Sequence, residues 1–251
     1  MATISREEWN RYIRLLRNVN ERAAMDIVAF MRNRLLHDST SNAVETLTDL
    51  QRKELIDYAY AIVQKYGEAS AALSAEMYDA VAILEGTYLA PAEMAELATY
   101  GDVAKTVNGT LLQSGNVEEI ASAAARWVKM AGADTTLNNA IRDGAEFAWV
   151  PRGETCAFCI ALASRGWQRA SRAILKNGHA EHIHSNCDCQ YTVRHNRNVT
   201  IEGYNPDEYL SMYRSADGRN PRDKINSMRR AAYAADKPTE GTDNEGLINV
   251  N

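Results

Sequence analysis

The sequence predicts a mainly α protein: an N-terminal helical bundle followed by a small C-terminal α+β module held together by a cysteine cluster. Three observations predict it. Apolar residues recur at steps of three and four over most of the first 148 positions, in an alanine-rich background that favours helix. That texture breaks at Trp149-Val150-Pro151-Arg152-Gly153. All four cysteines and four of the five histidines then fall between residues 154 and 195. The expected division is a helical domain over 1–148, a Cys/His module over 149–200, C-terminal helices over 201–235 and a disordered tail over 236–251.

The helices can be justified in order. Ser5-Arg6-Glu7-Glu8 reads as a capping box, with Ser5 at the N-cap and Glu8 reaching back to it. Trp9, Ile13, Leu16, Val19, Ala23, Ile27, Phe30 and Met31 then mark one face of a long helix to about Leu36. A second helix is expected from about Ser41, with Leu55, Ala59, Ile62 and Val63 on its face and Gly67 as its stop. A third carries Leu73, Met77, Val81 and Leu84 and ends near Gly86. Pro91 suits the first turn of another, with Glu93 and Glu96 near its positive end. Further helices are expected at about 102–113, 117–131 and 134–147, separated by Gly115 and Gly132. Beyond the break, Asp188–Arg194 alternates and is rich in β-prone residues, which reads as a short strand. Asn205-Pro206-Asp207 opens a helix over about 206–215, and Asn220-Pro221-Arg222 opens a last one to about Ala235.

Charge and hydropathy remove several classes of function. The formal net charge is −5, divided unevenly: residues 1–150 hold 14 basic and 21 acidic side chains, and residues 152–235 hold 13 and 8. Neither part has the basic density of a dedicated nucleic-acid binder. No window approaches the ~20 apolar residues of a membrane span, and MATISREEW lacks the apolar segment of a signal peptide. The expectation is a protein made in a cytoplasm, where thiols stay reduced and a tight group of four favours metal over disulfides.

The cluster is Cys156-Ala157-Phe158-Cys159 and, after 27 residues, Cys187-Asp188-Cys189. A C-x-x-C turn sets two thiolates on one side of an ion, and a second pair from a distant loop can close a zinc tetrahedron. Five residues compete for four positions: Cys156, Cys159, Cys187 and Cys189 form the first choice, with His184 as substitute ligand or supporting hydrogen-bond partner. A closed four-ligand zinc site is structural and leaves no position for substrate. Catalytic alternatives fit worse. A redox C-x-x-C leaves the second pair unexplained. His179-Ala180-Glu181 resembles half of a deaminase motif, but the cysteine pair precedes it. No G-x-S-x-G, H-E-x-x-H or phosphate-binding glycine loop is present. An enzyme is therefore not expected, nor a small-molecule substrate. The second functional class is a zinc-dependent nucleic-acid-binding module, using Arg165, Arg169, Arg172, Lys176, Arg194 and Arg197 around the cluster.

Gly153-Glu154-Thr155-Cys156-Ala157-Phe158-Cys159, then Leu162–Gly166, then His184-Ser185-Asn186-Cys187-Asp188-Cys189 resembles the signature of tailed-phage minor capsid proteins, the Mu F-like head-morphogenesis proteins. Gly166, His184, Asn186, Cys187 and Cys189 fall on that pattern, and Gly203–Tyr209 is similar to the segment that follows it. Ser185 departs, standing where many members have proline. The strong likeness covers residues 149–210. The resemblance implies a low-copy structural component of the phage head, assembled in the host cytoplasm and carried in the virion. Its implied partners are the portal protein, capsid or scaffold subunits and packaged DNA, with no membrane.

Overall fold

A computed structural model of the chain describes residues 2–36, 41–44, 46–151, 156–173, 190–197 and 199–235. A short strand, β1 (Ala2–Ile4), precedes the long helix α1 (Arg6–Arg34). Then come α2 (Asp49–Leu84), α3 (Tyr100–Gln113) and α4 (Val117–Asp143), which together with α1 make the helical body. The remainder is β2 (Glu146–Val150), α5 (Ala157–Ala163), β3 (Gln168–Arg169), β4 (Gln190–Arg194), β5 (Val199–Ile201), α6 (Pro206–Ser215) and α7 (Pro221–Ala235). The mainly helical class with a small mixed C-terminal region is the one the sequence predicted. Among the described residues no helix is long and apolar enough to cross a membrane. The tail 236–251 lies outside the described residues.

The helix starts follow their caps. Ser5 and Glu8 form the expected capping box, with Glu8 N donating to Ser5 Oγ and Ser5 N to Glu8 Oε2. The same device opens α2 at Thr48 and Gln51 and α3 at Thr99 and Asp102, and Asn116 caps α4. The last helices, α6 and α7, begin at the two prolines expected to start them.

Two glycines read as helix stops are instead packing positions inside longer helices. Gly67 and Gly132 lie within α2 and α4, each of which runs unbroken where two helices were expected. A Cβ on Gly132 would come within 2.7 Å of both Ser70 Oγ and Ser74 Oγ and 3.2 Å of Ser70 O. One on Gly67 would meet Leu97 Cδ2 at 3.3 Å. Glycine costs a helix interior roughly 1 kcal/mol relative to alanine, and here that cost is offset by the closer approach of α2 and α4. The second helix also starts at Asp49, not near Ser41, because its capping box is at Thr48.

The segment expected to be a helix from Pro91 is neither helix nor strand. Residues 87–99 form a strap that runs back along α2 and α4. Its backbone is held by side chains of the helices. Ala92 N donates to Asp79 Oδ1 (2.9 Å), Glu93 N to Asn139 Oδ1 (3.0 Å) and Ala95 N to Thr135 Oγ1 (3.0 Å). Asn139 Nδ2 donates to Glu93 O, Gln64 Nε2 to Ala98 O, and the Arg142 guanidinium to Ala90 O and Pro91 O. Distance explains the extended form: from the level of Asp79 to that of Gln64, α2 rises about 22 Å at ~1.5 Å per residue. The strap covers the same stretch between Ala92 and Ala98, which only extended chain at ~3.3 Å per residue can do.

Among the described residues the buried apolar side chains form two cores. One joins α1 beyond Ala23 to α3 and the first halves of α2 and α4, around Ile27, Met31, Leu55, Val63, Val107 and Ile120. The other joins the opposite ends of α1, α2 and α4 to the strands and α5, around Trp9, Ile13, Tyr78, Leu137, Phe147, Trp149 and Val193. α2 and α4 thus run parallel and α1 opposes both. The sequence expectation of a helix over 134–147 fails at Gly144, which takes a left-handed conformation (φ 67°) and ends α4. Glu146–Val150 then becomes the central strand of an antiparallel sheet ordered β3-β2-β4, with Phe147 opposite Val193 and Trp149 opposite Tyr191. β1 pairs in parallel with β5, so the first residues of the chain lie against residues 199–201.

At the start of β2, Glu146 accepts from Arg194 Nε (2.7 Å) directly across the ladder and from Arg197 Nε (3.1 Å). Burial pushes the Glu146 carboxyl up, but the two guanidiniums outweigh burial and hold it below its ordinary value. That pairing stabilises the fold above the ordinary carboxylate range, and the contribution is lost as pH falls through the lowered value.

Two outcomes follow for stability. Gly132→Ala should lower stability by about 1–3 kcal/mol in denaturant unfolding, whereas Gly109→Ala, in α3 with nothing within 4 Å of the new methyl, should be neutral or stabilising. Glu146→Gln should cost about 2 kcal/mol at pH 7 and flatten the loss of melting temperature seen on acidification below pH 4.5.

Candidate metal centre

The C-x-x-C pair sits where β2 hands over to α5. Cys156 is the N-cap residue of that helix, in extended conformation (φ −66°, ψ 157°), and its sulfur accepts from Cys159 N at 3.4 Å. The two sulfurs are 3.2 Å apart, well beyond the ~2.05 Å of a disulfide. Two thiolates on one tetrahedral zinc at ~2.3 Å stand ~3.8 Å apart, so a small side-chain rotation lets one ion bridge both. Cys156 is exposed, while Cys159 is buried in the core shared by sheet and helices. One thiol therefore anchors the pair and the other faces outward.

The surrounding residues hold this turn in place. After α5 the chain reverses at Gly166 in left-handed conformation (φ 61°), and a Cβ there would press on Pro206 Cβ at 3.3 Å. Tyr204 Oη donates to Ala163 O (3.1 Å), and the Tyr204 ring stands edge-on to Trp167. These contacts give a physical reason for the spacing between the cysteine turn, its glycine and the Gly203–Pro206 segment. The Arg6 side chain donates to Pro151 O and packs on Gly203, tying α1 to the same place.

The β2–β4 ladder bears on the second cysteine pair. Its last register pair is Val150 with Gln190. Cys189 is the residue before Gln190 in the sequence, and Pro151 leads from Val150 towards Cys156. The backbones that enter the two cysteine pairs therefore leave the same end of the same ladder. Cys187, Cys189, His184 and Lys176 themselves lie outside the described residues, as do His179 and Glu181. Among the described residues no three His, Cys, Asp or Glu side chains gather as a metal site.

The arginines expected around the cluster divide into two groups. Arg165, Arg169 and Arg172 are exposed near α5 and β3. Arg194 and Arg197 converge on Glu146, and Arg194 also stacks over the Trp167 ring, 4.5 Å from its centroid. The Arg194 charge is committed to the fold, while Arg197 reaches Glu146 from a side chain that is 78% exposed.

Sequence reasoning missed a second polar feature. Between the strap and α4 is a cavity of about 580 Å³ lined by Glu93, Met94, Ala95, Glu96, Asp134, Asn138, Asn139 and Arg142. Asp134 makes no hydrogen bond or ion pair among the described residues, and burial alone pushes its carboxyl up to about 6. Nothing in the local pattern signals this, because the strap that lines the cavity with Asp134 reads as a helix start.

Comparison with known proteins finds no matching curated protein and no matching solved structure. One protein-family model, described as VG15 protein, does match, and the match runs from β1 past the end of α6, with the whole cysteine cluster inside it. With residues 3–216 covered by that model, the chain belongs to the VG15 protein family.

Proposed function

We propose that this chain is a minor capsid, head-morphogenesis protein of a tailed phage: a structural component, not an enzyme, that contacts portal, scaffold or inner capsid during head assembly. Zinc staples its C-terminal module, held by Cys156, Cys159, Cys187 and Cys189 with His184 as the alternative or supporting ligand. The observation that carries the reading is the cysteine turn at the open end of the β2–β4 ladder, since the strand leading to Cys156 pairs with the strand that follows Cys189. The phage assignment itself rests on the resemblance of C-x-x-C…H-x-N-C-x-C and Gly203–Tyr209 to head-morphogenesis proteins.

Zinc bound there would supply folding energy, on the order of 10 kcal/mol in peptide-sized modules. Contact with other head proteins is supported by apolar surface where α2 ends and the strap begins. Ile83 is 78% exposed, Leu84 45% and Tyr88 fully so. The alternative, a zinc-dependent nucleic-acid contact, is supported by exposed Arg165, Arg169 and Arg172 and weakened by the engagement of Arg194 with Glu146 and the Trp167 ring.

Elemental analysis of the purified chain should give close to one zinc per chain, and Cys159→Ser should lose it. Chelation should open residues 151–195 to proteolysis while helical circular dichroism changes little. A metal-free chain with an intact, protease-resistant module would end the zinc reading. Ile83→Asp with Tyr88→Asp should leave the melting temperature within a few degrees but abolish incorporation into heads. Absence of the wild-type protein from purified virions would refute the capsid assignment. DNA binding by the zinc-loaded chain that weakens steeply with salt would favour the alternative.

A further inference from the structure

The outward face of α1 carries a charge pattern that its packing does not use. Trp9, Ile13, Leu16, Ala23 and Ile27 turn into the body. On the opposite side Arg11, Arg14, Asn18, Arg22, Met25 and Ala29 follow one another at steps of three and four, and all are exposed. Arg11, Arg14 and Arg22 make no hydrogen bond or ion pair among the described residues, whereas Arg17 is paired with Glu21 and Arg32 with Glu118. At the end of this stripe a groove of about 460 Å³ separates α1 from the start of α4, lined by Met25, Val28, Ala29, Arg32 and Glu118. Met25 at its edge is 68% exposed.

The other broad face carries the opposite pattern. α1 and the strap flank the α2–α4 pair on opposite sides: Tyr12 of α1 bonds Ser74 on one, and Thr135 and Asn139 hold the strap on the other. No Lys or Arg stands between Lys65 and Lys105, a span that holds seven acids. On the strap Glu93 and Glu96 are exposed, and Glu93 comes no closer than 3.9 Å to Arg142. Ahead of them Tyr88 is fully exposed, following the exposed Ile83 and Leu84 that end α2. Leu89, Ala92 and Ala98 pack on the two cores, so the strap presents these side chains from a fixed backbone. A surface fixed in advance has little ordering left to lose on binding.

We propose that each surface is the docking site of the other on a second copy of this chain, with the α1 face of one protomer seated on the strap of the next. The two patterns match in reverse order. Along α1 the arginines come first and the apolar groove last, and along the strap Tyr88 comes first and the acids last. Arg14 and Met25 are eleven residues apart, a rise of about 16 Å at ~1.5 Å per residue. Tyr88 and Glu93 are five apart, and extended chain at ~3.3 Å per residue covers the same distance. Laid antiparallel, the Tyr88 ring enters the partner's groove while Glu93 meets the partner's Arg14 and Glu96 the partner's Arg11. Opposite charge steers the two faces together and fixes their register. Because the surfaces are on opposite sides of the molecule, the contact is heterologous: each pair keeps a free surface at both ends, and copies add in line instead of closing as a dimer. The inference names a partner for the apolar corner assigned above to assembly; it rests on that corner being a contact surface and not on the phage assignment.

Sedimentation velocity on the purified full chain under reducing conditions tests this. Average mass should rise with protein concentration at ~50 mM salt, and the association constant should fall by on the order of 10-fold at ~500 mM. Tyr88→Ala, at a position with no packing to lose, should weaken association by on the order of 10- to 100-fold. Arg11→Glu with Arg14→Glu should give a monomer, and so should Glu93→Lys with Glu96→Lys. Mixed in equal amounts, these two chains should associate again, because reversed α1 then meets reversed strap and native α1 meets native strap. A misfolded variant could not be rescued in this way. Wild-type chain that stays monomeric at on the order of 100 µM overturns the proposal, as does association that Tyr88→Ala leaves unchanged; neither measurement needs a charge-reversed chain to fold. A mixture that stays monomeric while both variants keep wild-type helical circular dichroism also overturns it. If the purified wild-type chain is monomeric but Ile83→Asp with Tyr88→Asp is lost from heads, the corner belongs to another head protein and the second copy is removed while the proposed function stands.

Discussion

Everything in the body is arranged around the close parallel crossing of α2 and α4. With hydrogen in place of a side chain at Gly132, the α4 backbone lies against Ser70 and Ser74, closer than any other residue would permit. The two helices then present one continuous double ridge. α1 packs against it from one side, with Trp9, Ile13, Leu16, Ala23 and Ile27 buried along the seam. The strap lies along the outside of the same ridge and α3 closes its far end. Because α2 and α4 run the same way, the chain must return between them, and the strap with α3 is that return.

The same crossing sets where the cysteine module stands. α4 ends at Gly144 and passes at once into β2, so the orientation of α4 fixes the central strand of the small sheet. β4 pairs with β2, Glu146 locks their start through Arg194 and Arg197, and the opposite end opens towards the cysteines. β1 and Arg6 bring the N-terminus to the same place. A metal bound at this end would be supported from three directions while remaining at the surface.

The Cys156–Cys159 turn of the candidate site was legible because its chemistry is local. Cys156 and Cys159 are three residues apart, and a helix N-terminus holds both sulfurs near one point whatever the rest of the chain does. The positive-φ turn at Gly166 and the proline starts of α6 and α7 are likewise properties of a few adjacent residues. Thr48-x-x-Gln51 and Thr99-x-x-Asp102 carry as clear a local signal as Ser5-x-x-Glu8 and would have placed the starts of α2 and α3. Asp134 gave no local signal at all, because the burial that raises its carboxyl depends on how the elements pack around α4.

The sequence by itself determined the helical class, the capping box of the first helix, the placement of the last two helices, the strand after Cys189 and the pairing of nearby thiols. Each depends on contacts within a few residues or on an apolar period that one element carries alone. Only the tertiary structure decided what Gly67 and Gly132 do, that 87–99 is extended, that Glu146–Val150 is a strand, and that β1 joins β5. A glycine ends a helix or seats a neighbour depending on whether another backbone comes close. A segment is helix or strap depending on the distance it must span, and neither quantity is present in the chain until the other helices are in place.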